Sequence, residues 1–326
     1  MLKVSTAPHF YSKNKTSSIM RDVIIALLPA GMVAVALFGL NALLTIVTAV
    51  AGCVVMEYAA CKWLLKIKPA TDDLSAVVTG LLLAYNLPAN MPIWMILVGC
   101  FAAIIIAKVA FGGIGKNLFN PALVGRVFLF VSFPVQMTSW LKPKLFDFWN
   151  IDATTSATTL GILKHADSSK LLEIKQQLPA WIDMFIGNIG GSMGEISALA
   201  LLLGLAWLLY RRVISWHIPF YYVAVFTILN TVFWLYTGSL RFEPITHLLS
   251  GGLLLGAFFM ATDYTTSPMS INGKIIFACG CGILTFVIRQ YGAYPEGVSF
   301  AILIMNACVP LIDKAVHPRI FGTGRK

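Results

Sequence analysis

The chain has 326 residues, of which 58% are hydrophobic and 12% charged, and its formal net charge is +10. An average soluble domain carries roughly 25% charged residues, so composition argues against a water-soluble fold. Most of the basic residues lie beside apolar runs, so their location matters more than their total, and no nucleic-acid partner is expected.

Residues 1–22 form a basic segment ahead of the first apolar run, Val23 to Leu40. That run imitates a signal peptide in position, but its 18 residues, the interior Pro29 and the lack of a small-residue cleavage site predict an uncleaved helix. Spans are predicted at about 23–40, 42–61, 74–88, 91–108, 118–138, 195–210, 218–237, 245–262, 274–290 and 297–313. Several fall short of the ~20 residues that cross a bilayer straight, and Pro, Gly or Asn interrupts some, so tilted or broken helices are expected.

Most of the 24 Lys and Arg residues fall on one side of this stack when the N-terminus is cytoplasmic. By the positive-inside rule both termini, including 314–326, are cytoplasmic, and the loop 139–194 faces outward. The loop separates five spans (23–138) from five (195–313), and an odd number of crossings starts the second half from the opposite face. The expected fold is therefore all-α and polytopic, about ten helices in two inverted five-helix repeats. Gly80-Leu-Leu-Leu-Ala84 and Gly252-Leu-Leu-Leu-Gly256 echo one another in the third span of each half.

The outward loop carries Asp152-Ala153-Thr154-Thr155-Ser156-Ala157-Thr158-Thr159. On composition alone this is a turn or a helix N-cap, since hydroxyl and carboxylate side chains accept from orphan backbone N–H groups. Its spacing, however, is similar to the seven-residue pattern Asp-Gly/Ala-x-Ser/Thr-Gly/Ser-Ala-Thr by which flavin transferases recognise their targets, Ser156 standing where Gly is commoner. That resemblance implies FMN attached through its phosphate to the hydroxyl of Thr158, with Asp152, Thr155, Ser156 and Ala157 as the recognition motif and Thr159 as the adjacent fallback.

Asp73-Leu-Ser-Ala-Val-Val-Thr-Gly-Leu-Leu-Leu-Ala-Tyr-Asn-Leu-Pro88, Gly112-Gly-Ile-Gly-Lys-Asn-Leu-Phe-Asn-Pro-Ala-Leu-Val-Gly125, Ala261-Thr-Asp-Tyr-Thr-Thr-Ser-Pro268 and Ala293-Tyr-Pro-Glu-Gly-Val-Ser-Phe-Ala-Ile-Leu-Ile-Met-Asn306 resemble the NqrB/RnfD family, in particular its RnfD members. The resemblance implies an electron-relay subunit of a bacterial inner-membrane translocase that passes electrons between ferredoxin and NAD and moves Na+ or H+. Neither soluble substrate would bind this subunit. Its partners would be the RnfA, RnfB, RnfC, RnfE and RnfG proteins of the same complex, a flavin transferase for maturation, and the lipid bilayer. The related NqrB proteins of the Na+-translocating NADH:quinone reductase, the close alternative, also hold riboflavin without a covalent bond, which makes riboflavin a second candidate cofactor. A small-solute channel of similar architecture and a purely structural scaffold are the rival classes.

Charged residues within spans are the remaining candidates, because each costs ~2.5–3.5 kcal/mol at the bilayer centre. Arg126 faces either the flavin or the carbonyls of a broken helix. Glu57, Lys108, Glu195, Asp263 and Arg289 lie nearer span ends, where snorkelling accounts for most of them, and the hydroxyls around Asp263 read as a turn. The six cysteines have no CxxC spacing and read as small buried hydrophobes; the histidines are too scattered for a metal site. Trp140, Trp149, Trp181, Tyr210, Tyr221 and Tyr222 read as an interfacial belt.

Overall fold

A computed structural model describes residues 15–66, 73–143, 155–156, 158–164, 178–292, 294 and 296–316. Among the described residues the fold is all-α apart from one two-residue strand pair. Helix α1 runs from Thr16–Ala59 and continues as a π-helical turn, Ala60–Leu64. A straight helix of 49 residues would reach about 74 Å at ~1.5 Å per residue, more than twice the ~30 Å hydrocarbon layer. The conflict is resolved at Gly39, whose φ of 60° and ψ of −140° break the helix. The limbs fold back on each other. Thr16, Ile19 and Val23 of the first limb line a cavity with Ser75 and Lys108, and Glu57 of the second limb bonds that same Lys108. The predicted spans 23–40 and 42–61 are these two limbs.

Helix α2 (Ser75–Tyr85) is only 11 residues long, about half a crossing. Asp73 fixes its start by accepting from the Ser75 amide at 2.8 Å and the Ser75 hydroxyl at 2.6 Å. At its end Asn86 Nδ2 donates to Leu82 O at 2.6 Å. Helix α3 (Ile93–Phe101) continues as a π-helical segment, Ala102–Ile106. Helix α4 (Pro121–Ser132) opens on a proline, and Asn120 caps it, accepting from Ala122 N at 3.1 Å and Leu123 N at 3.4 Å. A single turn, α5 (Pro134–Met137), leads into strand β1 (Trp140–Leu141), which pairs antiparallel with β2 (Thr155–Ser156). Then come the short helices α6 (Thr159–Lys164) and α7 (Trp181–Ile186).

The second half holds α8 (Ala198–Tyr210) and α9 (His217–Thr237). Its third span is broken, as expected: α10 (Pro244–Leu249) stops at Ser250, and α11 (Leu253–Leu255) resumes and passes into a π-helical turn, Gly256–Met260. Backbone oxygens freed at the break, His247 O and Ser250 O, accept from Arg289 at 2.8 and 3.3 Å. Helices α12 (Ile271–Tyr291) and α13 (Val298–Ala315) complete the bundle.

Exposure is inverted relative to a soluble protein. Leu28, Met32, Val47, Val55, Leu235 and Leu311 are exposed, while Ala26, Ala30, Ala34, Ala42 and Ala49 are buried between helices. Close packing joins the halves: α1 packs on α8 and α4 on α13. A Cβ on Gly204 of α8 would collide with the carbonyl oxygen of Ala26 in α1, so only glycine permits this backbone contact. Of the aromatics expected in an interfacial belt, Trp181 and Tyr210 are exposed, whereas Tyr222 and Trp140 are buried, which removes them from it. Tyr222 is fully enclosed and shares a 2.7 Å hydrogen bond with Thr285, the polar partner that lets a phenol enter a core. Trp149 lies outside the described residues.

Candidate functional site

Thr158 stands at the start of α6 and caps it: its Oγ1 accepts from Gly161 N at 3.1 Å. The N-cap reading of the motif is therefore correct for this residue. Capping uses a lone pair on the oxygen, and Thr158 remains partly exposed, whereas Thr159 is buried. Of the two threonines, Thr158 is the more exposed. Thr155 and Ser156 lie in β2, opposite Leu141 and Trp140 respectively, so the strand pair ties the motif to the end of the fifth span. Asp152 and Ala157 lie outside the described residues.

Helix α6 is docked at both ends. Lys164 Nζ donates to Gly292 O at 2.5 Å, and burial, then the charge of Arg241, lower the Lys164 pKa from its ordinary value. Leu160 rests on Gly251, which has a φ of +69°; a Cβ there would lie 2.6 Å from Leu160 Cδ1 and 3.0 Å from Arg289 Nη2. A glycine at the break of the third span thus brings the motif against the bundle.

Below Thr158 lies a narrow cleft walled by Ile189, Gly190, Gly191, Ser250 and Gly251, with Glu195 and Glu296 among its lining residues. These two carboxylates hold Arg126. Its Nη1 donates to Asn86 Oδ1 at 2.6 Å, Glu195 Oε1 at 3.0 Å and Ser299 Oγ at 3.0 Å, and its Nη2 pairs with Glu296. Arg126 is therefore bonded to side chains, two of which, Glu195 and Glu296, line the cleft under Thr158. The arginine that satisfies a broken helix is instead Arg289, whose guanidinium also lies 5.0 Å from the Phe226 ring centroid.

Snorkelling does not describe the other span charges. Lys108 and Glu57 are 2% and 3% exposed, and Lys108 Nζ sits 2.7 Å from Glu57 Oε1 and 2.6 Å from Ser75 Oγ. Glu195 and Arg289 are likewise buried, at 4% and 3%. Each has a partner inside the bundle. Asp263 does form the expected turn, accepting from Thr265 Oγ1 at 3.0 Å and Thr266 Oγ1 at 3.3 Å.

Asp263 also lines something the sequence did not announce, a cavity of about 430 Å³. Its wall is mostly apolar, from Ile19, Leu82, Leu208 and Phe259, with Lys108, Asn117, Asn120 and Asp263 as polar points. Volume and lining are those of a small-molecule site. Four of the six cysteines are buried in the core and two are partly buried, and none is in a disulfide.

The family model described as "NQR2, RnfD, RnfE family" matches residues 3–322. The chain belongs to this family. Among curated members, the RnfD-type component of the Na(+)-translocating ferredoxin:NAD(+) oxidoreductase complex of Acetobacterium woodii is 47% identical, over 98% of this chain and 95% of the relative. Its counterpart in the proton-translocating ferredoxin:NAD(+) oxidoreductase complex of Clostridium ljungdahlii is also 47% identical, over 99% and 96%. The corresponding component of the ion-translocating oxidoreductase complex of Haemophilus ducreyi is 37% identical over 99% of both chains. The first two of these NQR2/RnfD/RnfE relatives carry different ions in their names at equal identity, so likeness does not choose the ion.

Proposed function

We propose that this chain is an electron-relay subunit of an ion-translocating ferredoxin:NAD oxidoreductase, with FMN esterified through its phosphate to Thr158. The reading is carried by the partly exposed Thr158 hydroxyl inside the transferase-recognition pattern, docked by Leu160 and Lys164 over a cleft lined by the two carboxylates that hold Arg126. The residues fit a tethered cofactor better than an enclosed one. The cleft has room of about 20 Å³, enough for a water or two, so an isoalloxazine ring lies outside it and the covalent bond does the holding. Bound FMN supplies one-electron transfer. Around it this chain fixes the attachment point, and Arg126 with its glutamates sets the charge beneath it.

For riboflavin held without a covalent bond, the second candidate cofactor, we propose the 430 Å³ cavity, whose apolar walls carry Asn117, Asn120 and Asp263 as donors and acceptors. The distribution of Lys and Arg supports cytoplasmic termini and an outward Thr158 in a bacterial inner membrane. The two five-span halves are read as an inverted repeat, supported by the contacts between their first and fifth spans. NAD and ferredoxin are handled by partner subunits, and a flavin transferase matures this one.

Peptide mass spectrometry on protein made with a flavin transferase tests the reading. An FMN adduct on the Thr158 peptide, and loss of in-gel flavin fluorescence in Thr158→Val, are expected. A colourless wild-type chain refutes it and leaves the channel and scaffold classes standing.

A further inference from the structure

Where the end of α6 meets the bundle, two cations lie near one another. Lys164, the last residue of α6, gives its ammonium to Gly292 O, and Arg241 sits in the Leu240–Phe242 turn that packs against the same helix. Burial, and then the charge of Arg241, lower the Lys164 pKa, so the two groups feel one another. Like charges held together repel, yet among the described residues no carboxylate pairs with either. Their hydrogen-bond acceptors are neutral: Gly292 O for Lys164, and the side chain and carbonyl of Gln290 for Arg241. The acids of this end of the bundle are engaged elsewhere, Glu195 and Glu296 with Arg126 and Glu243 with Thr246 Oγ1 at 2.7 Å. Two cations without a counter-charge make a place for an anion.

Position and shape narrow that anion. Helix α6 has 6 residues, so Lys164 stands about 9 Å from Thr158 at ~1.5 Å per residue, a span that the ribityl chain of a flavin tethered at Thr158 crosses. Lys164 follows Leu160 by four positions and so shares the face of α6 that is turned to the bundle. Two residues beyond Gly292, Tyr294 is 41% exposed, its ring set against Phe130 with centroids 4.7 Å apart. An aromatic surface beside two cations suits a flat ring that carries negative charge.

We propose that Lys164 and Arg241 seat the isoalloxazine ring of the FMN and raise its reduction potential, a role that rests on the covalent link to Thr158 proposed above. Each electron that the ring accepts from a reduced partner adds one negative charge unless a proton follows it. Two neighbouring cations offset that charge, and they do so more in the reduced ring than in the oxidised one. Above Glu195 and Glu296, which share the single cation Arg126, the ring would meet the opposite field. Lys164 and Arg241 are thus positioning residues that take no part in the bond to Thr158.

The test is a dye-mediated redox titration of the full-length chain, made with a flavin transferase and purified in detergent, with the Thr158→Val protein as the blank for any flavin that is not covalent. Lys164→Gln and Arg241→Gln each lower the midpoint potential, by roughly tenfold in the one-electron equilibrium or about 59 mV, and the double variant lowers it further. Lys164→Arg keeps the charge and stays at the wild-type value. Peptide mass spectrometry on every sample reports the adduct, so the two failures are distinct. A wild-type chain with no adduct removes the covalent link and the ring seat together, whereas a full adduct with potentials unchanged in both single variants overturns the ring seat alone. If Lys164 only docks α6, the adduct is lost in Lys164→Gln while the potential of Arg241→Gln stays unmoved, which also overturns the proposal. Should Lys164→Gln fail to fold, Arg241→Gln, on a separate turn, decides.

Discussion

Lys108→Met removes one member of a buried pair and leaves Glu57 with its charge inside the bundle. Nζ is 2.7 Å from Oε1 and 2.9 Å from Oε2 of Glu57, both side chains are at most 4% exposed, and Ser75 Oγ accepts a third bond at 2.6 Å. At an effective dielectric of ~20 the gross attraction at that separation is about 6 kcal/mol, most of it spent on desolvating the two groups. Breaking such a pair from one side costs about 3–5 kcal/mol, while replacing both partners by neutral groups is close to neutral. Lys108→Met should therefore destabilise by about 3–5 kcal/mol, and Lys108→Met combined with Glu57→Gln should recover most of that loss. Denaturant titration of the detergent-solubilised chain, followed by tryptophan fluorescence, measures both. A cost below about 1 kcal/mol for the single variant, the range of exposed pairs, would mean that Lys108 reaches the interface after all.

Gly251→Ala places a methyl group against Leu160 and Arg289 at a φ of +69°; α6 loses its seat, and the fraction of chains bearing an FMN adduct falls while the size-exclusion profile stays monodisperse. Orientation is read by a membrane-impermeant amine reagent on intact cells: Lys142 and Lys164 are modified, Lys62 and Lys274 only after lysis. The opposite pattern would invert the topology.

The spans were legible because apolar runs and their basic flanks are local properties of the chain. Even the helix that is continuous through Ala59 was divisible near Gly39, since no single crossing uses so many residues. Thr158 was legible as a motif, and its role as an N-cap was the reading that spacing had displaced. What could not be read was partnership. Lys108 meets Glu57 across 51 positions and Arg126 meets Glu195 across 69, distances at which only the folded bundle decides who is near. The sole clue was arithmetic: spans held acidic and basic residues in comparable numbers, and a bundle that buries both signs pairs them. The same ignorance of neighbours assigned Tyr222 to the interface and hid the large cavity, which draws its walls from α1, α2, α8 and the segments beside Asn117 and Asp263.

At Gly204 the backbones of α1 and α8 touch with no side chain between them. A contact that tight leaves little slack for sliding of α8 past α1, so any relative movement of these two helices would turn about this point as about a fulcrum. The lever arms are unequal: the cavity opens beside Leu208, one turn along α8, whereas the Arg126 cluster lies toward the other end of the bundle. A few degrees of rocking would leave the cavity mouth almost unchanged and be felt most in the cleft beneath Thr158.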